Sequence, residues 1–232
     1  MYVPPKFRHM HTNHHITNIC DEFLHIEGIP EANINECCIC KSCCIRKSVT
    51  CVAVVKNSNN NVTYSKVYKN HMNDDGNSTH AEMLFIFDAD LRKQLQNDSS
   101  IYMYLTYQPC HFSGGHYKVS VKSCTEALVH FYDKTLLPKN ISLTIKFAYI
   151  YRAHWKVNCQ KYERMIENAK EGLKILKSKF NIQLMTLDDI NELYEFCSES
   201  EKEKLDSSEL TTILQNREKV YNFFKEFLDS IT

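Results

Sequence analysis

Three consecutive runs decide the fold: Ser142–Arg152 (SLTIKFAYIYR), Asn158–Phe180 (NCQKYERMIENAKEGLKILKSKF) and Ile182–Thr186 (IQLMT). The outer two are rich in β-branched and aromatic residues and read as strands, while the middle one repeats its apolar residues at helical spacing. A helix joining two strands lets them pair in parallel, because a parallel pair needs a long crossover whereas an antiparallel pair can be closed by a tight turn. Upstream, Thr50–Lys56 (TCVAVVK) and Val62–Tyr68 are β-rich runs separated by Asn57-Ser58-Asn59-Asn60-Asn61, the pattern of a hairpin. Ser78-Thr79 can cap one helix running from Ala81 to about Leu95, Ile101–Thr106 reads as a strand ending at the Pro109-Cys110 turn, and Cys124–Thr135 reads as a helix. Asp188–Cys197 and Glu209–Leu228 are two further helices. The expected fold is α/β, a five-stranded mixed sheet with helices on both faces and its last two strands parallel.

A chain of 232 residues with 43% apolar content supports one sizeable core and is too short for two independent domains. It divides into an N-terminal extension over residues 1–45, the α/β domain over 46–198, and an acidic helical appendage over 199–232. No apolar run approaches a membrane span, and MYVPPKFRHMHTNHH lacks the hydrophobic core of a signal peptide, so no membrane partner is expected and an intracellular, cytoplasmic or nuclear location is. The eleven cysteines are odd in number and several sit at metal-ligand spacing, which favours reduced thiols over a disulfide framework. Glycosylation-type sequons at Asn61, Asn77, Asn97 and Asn140 are expected by chance in so asparagine-rich a chain.

The net charge of zero argues against a generic polyanion binder, but its distribution is uneven. Residues 134–180 hold eleven Lys and Arg against three Glu, and residues 181–232 hold five against twelve acidic residues. Such a division can sum to zero and still present a local phosphate-binding face, although most lysines of Lys161–Lys179 read as a solvated helix surface.

The chemistry lies in His80-Ala81-Glu82, Pro109-Cys110 and Cys124. A catalytic zinc keeps three protein ligands and one open position, and one neutral imidazole with two thiolates meets that count while cancelling the charge of the ion. His80, Cys110 and Cys124 supply the set. Glu82, in the first turn of its helix, can face an activated water without being a ligand and move protons between it and an amino-bearing base. Cys124 heads its helix, where the dipole favours the thiolate. The expected reaction is zinc-dependent hydrolytic deamination.

From about Lys47 to Cys197 the chain resembles the AID/APOBEC branch of the zinc cytidine deaminases. Leu143–Tyr151 looks like the family's fourth strand, with Tyr151 where a tyrosine packs near the target base, and Ile182–Thr186 followed by Asp188 resembles the fifth strand and the helix after it. Tyr107 stands where the family usually has a tryptophan that stacks on the flipped cytosine. The resemblance implies that Asn70 contacts the target nucleotide, with Asn73 as a competing assignment. It also implies that Arg46, Lys47 and Thr50 belong to a substrate-gripping first loop, and that Arg152, His154, Trp155 and Lys156 read the base 5′ of the target. One departure concerns the ligands: the family places only a few residues between its zinc cysteines, whereas thirteen separate Cys110 from Cys124. His111 and His116 in that insertion are alternative ligands, and Cys124 is favoured because it begins a helix as the family's second cysteine does. The implied substrate is cytosine in single-stranded DNA or RNA, converted to uracil.

Cys37, Cys40, Cys43 and Cys44 form two overlapping Cys-x-x-Cys spacings and, with His25 as an alternative, could hold a second, structural zinc. Two other functions share much of this pattern: deamination of free cytidine or deoxycytidylate, and a catalytically silent nucleic-acid-binding protein of the same fold. Oligomeric state is not legible in the sequence.

Overall fold

The apolar run Cys51–Val55 has two faces to bury, and the sheet buries it near its centre. In the computed structural model, which describes Phe23, residues 49–72, 78–112, 123–150 and 160–194, Glu218, Tyr221, Asn222 and residues 224–231, β1 (Thr50–Lys56) lies between β2 (Val62–Lys69) and β3 (Ser100–Tyr107), antiparallel to both. β4 (Ser142–Tyr149) and β5 (Asn181–Leu184) extend the sheet in parallel, giving the order β2-β1-β3-β4-β5. The α/β fold with parallel last strands is therefore present, and parallel pairing already begins between β3 and β4. The hairpin turn is closed by Asn57, whose side-chain oxygen accepts the N–H groups of Asn59 and Asn61, each at 3.0 Å.

Side-chain alternation divides the core into two layers. Cys51, Ala53, Val55, Ile101, Met103, Leu105, Ile145 and Phe147 face α1 (Ala81–Phe87), α2 (Ala89–Gln94), α3 (Cys124–Phe131) and α4 (Gln160–Lys179). Val52, Val54, Tyr104 and Ala148 face the other way, toward Phe23 and toward Ile190 and Leu193 of α5 (Leu187–Tyr194). Helices thus cover both faces. The C-terminal stretch also joins the first layer, because Phe224, Leu228 and Ile231 are buried in it and Lys177 Nζ donates to the Ile231 carbonyl at 2.9 Å. Over α5, acidic side chains meet sheet cations: Lys146 pairs with Asp189, Lys56 Nζ lies 3.0 Å from Glu192 Oε1, and the Tyr104 hydroxyl donates to Glu192 Oε2 at 2.6 Å. Among the described residues no helix is long and apolar enough to cross a membrane.

The expected single helix from Ala81 to Leu95 is two helices, α1 and α2, separated at Asp88. The reason is the number of donors this carboxylate collects by leaving the helix. Oδ1 accepts the N–H groups of Asp90 at 2.8 Å and Leu91 at 3.3 Å, capping α2, while Oδ2 accepts Tyr64 Oη at 2.9 Å, Tyr68 Oη at 2.8 Å and Lys66 Nζ at 2.7 Å. Ser78-Thr79, expected to cap the first helix, instead pairs with His71-Met72 in a two-residue antiparallel ladder, and His80 occupies the cap position.

Although burial opposes ionisation of Asp88, Lys66, Tyr68, the Asp90 amide and Tyr64 together hold its carboxyl down to about 2. A carboxyl depressed in the folded state stabilises above its unfolded value of about 3.9 and loses that contribution as pH falls toward 2. Asp88→Asn is expected to lower stability near neutral pH by about 1–3 kcal/mol through loss of the charge-assisted bonds. Denaturant titrations of both proteins should show the gap nearly constant down to about pH 4 and narrowing below it.

Candidate metal centre

Three element ends meet at the carboxyl end of β3, where an α/β sheet of this kind is open to ligands. His80 is the N-cap residue of α1, extended at φ −73° and ψ 150°, and its side chain makes no capping bond. That duty falls to Asn70, whose side-chain oxygen accepts the Ala81 N–H at 2.8 Å. The His80 ring is thereby left to face the cysteines, with Nδ1 3.5 Å from Cys110 Sγ and 3.3 Å from Cys124 Sγ.

Cys110 follows β3 in a turn tied to the first turn of α3: the Thr125 N–H donates to the Cys110 carbonyl at 3.1 Å and the Thr125 hydroxyl to the Pro109 carbonyl at 3.3 Å. Cys124 opens α3 behind a capping box, in which the Ser123 hydroxyl accepts the Glu126 N–H at 3.2 Å and Glu126 Oε2 accepts the Ser123 N–H at 2.8 Å. The ligand atoms of His80, Cys110 and Cys124 all lie within 4.8 Å of one another, a group that could hold a metal ion.

The electrostatics suit a cation. The Cys124 thiol donates to Cys110 and, with His80, holds Cys110 well below the usual thiol range, whereas that same bond, followed by burial, raises Cys124. The bond to Cys110 lifts His80 to about 9 against the opposing effect of burial. The trio thus already concentrates negative charge on sulfur, and a divalent cation that displaces its remaining protons meets one neutral imidazole and two thiolates.

Glu82 lies two residues beyond His80, 2% exposed, and burial followed by the nearby Cys110 charge pushes its carboxyl up to about 7. Its Oε2 is buried with no hydrogen-bond partner among the described residues. A buried carboxylate oxygen without a protein donor is costly, so its place here fits a group that meets a ligand or water held by the cluster.

Four of the remaining expected site residues, Asn70, Thr50, Tyr107 and His111, are among the described residues. Asn70 supports α1 through its oxygen. Thr50 is the first residue of β1 and fully buried, its N–H donating to Thr106 Oγ1 at 3.0 Å, so it does not lie in a loop. Tyr107 ends β3 with its ring centroid 5.6 Å from that of Tyr149, a neighbour that sequence reasoning had not singled out. His111 is engaged with Ser123, its Nδ1 3.0 Å from Oγ, and is not among the grouped ligands. Cys51 was also missed: it is a fully buried thiol on β1, raised by burial and then by the Glu82 charge. Arg46, Lys47, Asn73, His116, Tyr151, Arg152, His154, Trp155, Lys156 and the cluster of Cys37, Cys40, Cys43 and Cys44, with His25, lie outside the described residues.

Purified protein is expected to retain one equivalent of metal in this centre. His80→Ala, Cys110→Ser and Cys124→Ser should each weaken binding by more than about 100-fold, beyond the usual cost of losing a hydrogen bond that supports a ligand. Glu82→Gln should retain the metal. Elemental analysis after desalting measures all four, and any equivalent that survives Cys110→Ser belongs to a second site.

In comparison with known proteins, no family model matches this chain and no curated protein matches it.

Proposed function

We propose that this chain is a zinc-dependent cytidine deaminase of the AID/APOBEC kind, converting cytosine to uracil in single-stranded DNA or RNA. The observation that carries the reading is Glu82: a buried carboxylate, one oxygen unpartnered among the described residues, in the first turn of the helix whose cap residue is His80. The His-Cys-Cys donor set suits zinc among the common biological cations, since thiolates and imidazole favour it over the oxygen-seeking magnesium and calcium. Zinc, when bound, supplies the acidity that makes water a nucleophile near neutral pH.

The protein residues then divide the work. His80, Cys110 and Cys124 hold the ion, and the backbone bonds from Thr125 keep the Cys110 turn against α3. Glu82 accepts the proton released as water adds to C4 of the base and delivers it toward the departing amino group, so that ammonia leaves and uracil remains. Tyr107 offers an aromatic face beside Tyr149 on which a base can stack. Asn70 keeps the start of α1 in place through its side-chain oxygen, and in this reading its amide N–H groups donate to the sugar or phosphate. Tyr151, Arg152, His154, Trp155 and Arg46 supply the remaining contacts to a strand in this reading, and the parallel β4–β5 pair with α4 between them supports a polynucleotide over a free nucleoside.

The test is uracil formation in single-stranded DNA and matched RNA oligonucleotides, with the central cytosine preceded by each base in turn. Conversion is expected with the wild type, with Glu82→Gln slower by about 10²–10⁴-fold and metal-stripped protein inactive until zinc is restored. Conversion of free cytidine or deoxycytidylate alone would reassign the substrate, and zinc-loaded protein inert toward all of them would overturn the enzymatic reading.

A further inference from the structure

Thirteen residues separate Cys110 from Cys124, and a connection of that length does not by itself fix the distance between two ligands. The residues just inside the two cysteines are bonded to each other: His111 Nδ1 lies 3.0 Å from Ser123 Oγ. A hydroxyl has one proton and two acceptor sites. The Ser123 proton goes to Glu126 Oε2 at 3.1 Å, and one lone pair accepts the Glu126 N–H at 3.2 Å. The remaining lone pair accepts the His111 Nδ1–H, which fixes the tautomer of His111 and leaves the hydroxyl fully used.

His111 is also seated on α4. A Cβ at Gly172 would stand 2.5 Å from the His111 Cβ, closer than real Cβ atoms come, and the obstacle is the root of a side chain that cannot swing away. Phe112, the next residue, has φ 52°, a region bulky residues rarely adopt, and its carbonyl accepts Asn168 Nδ2 at 3.0 Å. Asn168 and Gly172 are one turn apart on the same side of α4. The step after Cys110 is therefore held from α3 and α4 at once.

We propose that His111 is a positioning residue, bonded to Ser123 and seated on Gly172, that clasps the two cysteine-bearing segments together and sets metal affinity independently of the length of chain between them. The proposal rests on the metal-binding reading of His80, Cys110 and Cys124 but not on deamination. It gives a role to a histidine that the sequence offered as a ligand.

Cobalt and zinc binding to the full chain, measured by competition with a chromophoric chelator, tests it. His111→Leu should weaken binding by about 10–100-fold, the usual effect of removing support from a ligand. The thiolate-to-cobalt absorption should fall as one sulfur is displaced. His111→Asn, which keeps an N–H donor, should recover most of the affinity. Ser123→Gly removes the hydroxyl while leaving a residue tolerated at the cap, so metal-free melting should barely change while affinity falls as for His111→Leu. The double variant should be no weaker than either single one, because both break the same bond. Gly172→Ala should reproduce the loss without altering any residue between the two cysteines. Wild-type affinity in His111→Leu, Ser123→Gly and Gly172→Ala overturns the clasp and leaves the metal centre standing. A wild-type chain that takes up neither metal overturns both.

Discussion

The first turn of α1 needs a hydrogen-bond acceptor, and the acceptor cannot be His80 if that imidazole is to face two thiols. Asn70 resolves the conflict from the end of β2, its side chain on the Ala81 N–H and its own N–H on the Val49 carbonyl at 3.0 Å. The helix start is thereby pinned to the β1–β2 edge of the sheet. Glu82 is consequently carried into the interior, where no described protein donor meets its Oε2. Moving the acceptor from the cap residue to the residue that follows β2 allows one short segment to supply both an imidazole to the His-Cys-Cys group and a buried carboxylate.

The two cysteines of the group depend on analogous terminal chemistry. The α3 start is closed by the capping box of Ser123 and Glu126 and bound to the Cys110 turn by Thr125, so the segments that carry both sulfurs are tied to each other by the protein alone. Asp88 performs the same service at the far end of α1, stopping that helix, capping α2 and collecting Tyr64, Lys66 and Tyr68 from β2. Phe85 of α1 packs edge-on against Tyr68, with centroids 5.9 Å apart, and against Phe131, with centroids 5.7 Å apart. α1 is thus fixed at both ends by strand side chains and along its length by aromatic contacts.

Most of the sheet was legible because its cues are local. Cys51–Val55 announces a strand buried on both faces, and the helical spacing of Asn158–Phe180 requires the crossover seen between β4 and β5. The meeting of His80, Cys110 and Cys124 in one group that could hold a metal was legible for a similar reason, since the residue types and their elements were written in the chain. What escaped was non-local. Nothing in residues 81–95 reveals that Asp88 meets three side chains of β2, and a His beside a Cys gives no sign that Ser123 will engage it. One overlooked signal was local: Ser123-Cys124-Thr125-Glu126 is a capping box, and it marks the start of α3 and the place of Cys124 without any comparison. Asn70 and Thr50, which the resemblance implies as nucleotide contacts, also have a structural part that the sequence did not announce: Asn70 accepts the Ala81 N–H and the Thr50 N–H donates to Thr106.

The division of charge along the chain also changes meaning once it is folded. Two lysines counted in the basic stretch meet acidic residues within the chain, Lys146 pairing with Asp189 and Lys179 lying 3.6 Å from Asp133, and outside that stretch Lys56 pairs with Glu192 at 3.0 Å. The Lys146 and Lys56 pairs are partly buried and fasten α5 to the sheet, so their charges serve packing before they serve a ligand. Lys170 and Lys174, by contrast, stand on the exposed side of α4. A zero sum therefore conceals two populations, one matched across the fold and one turned to solvent, and attraction to a polyanion depends on the second population alone.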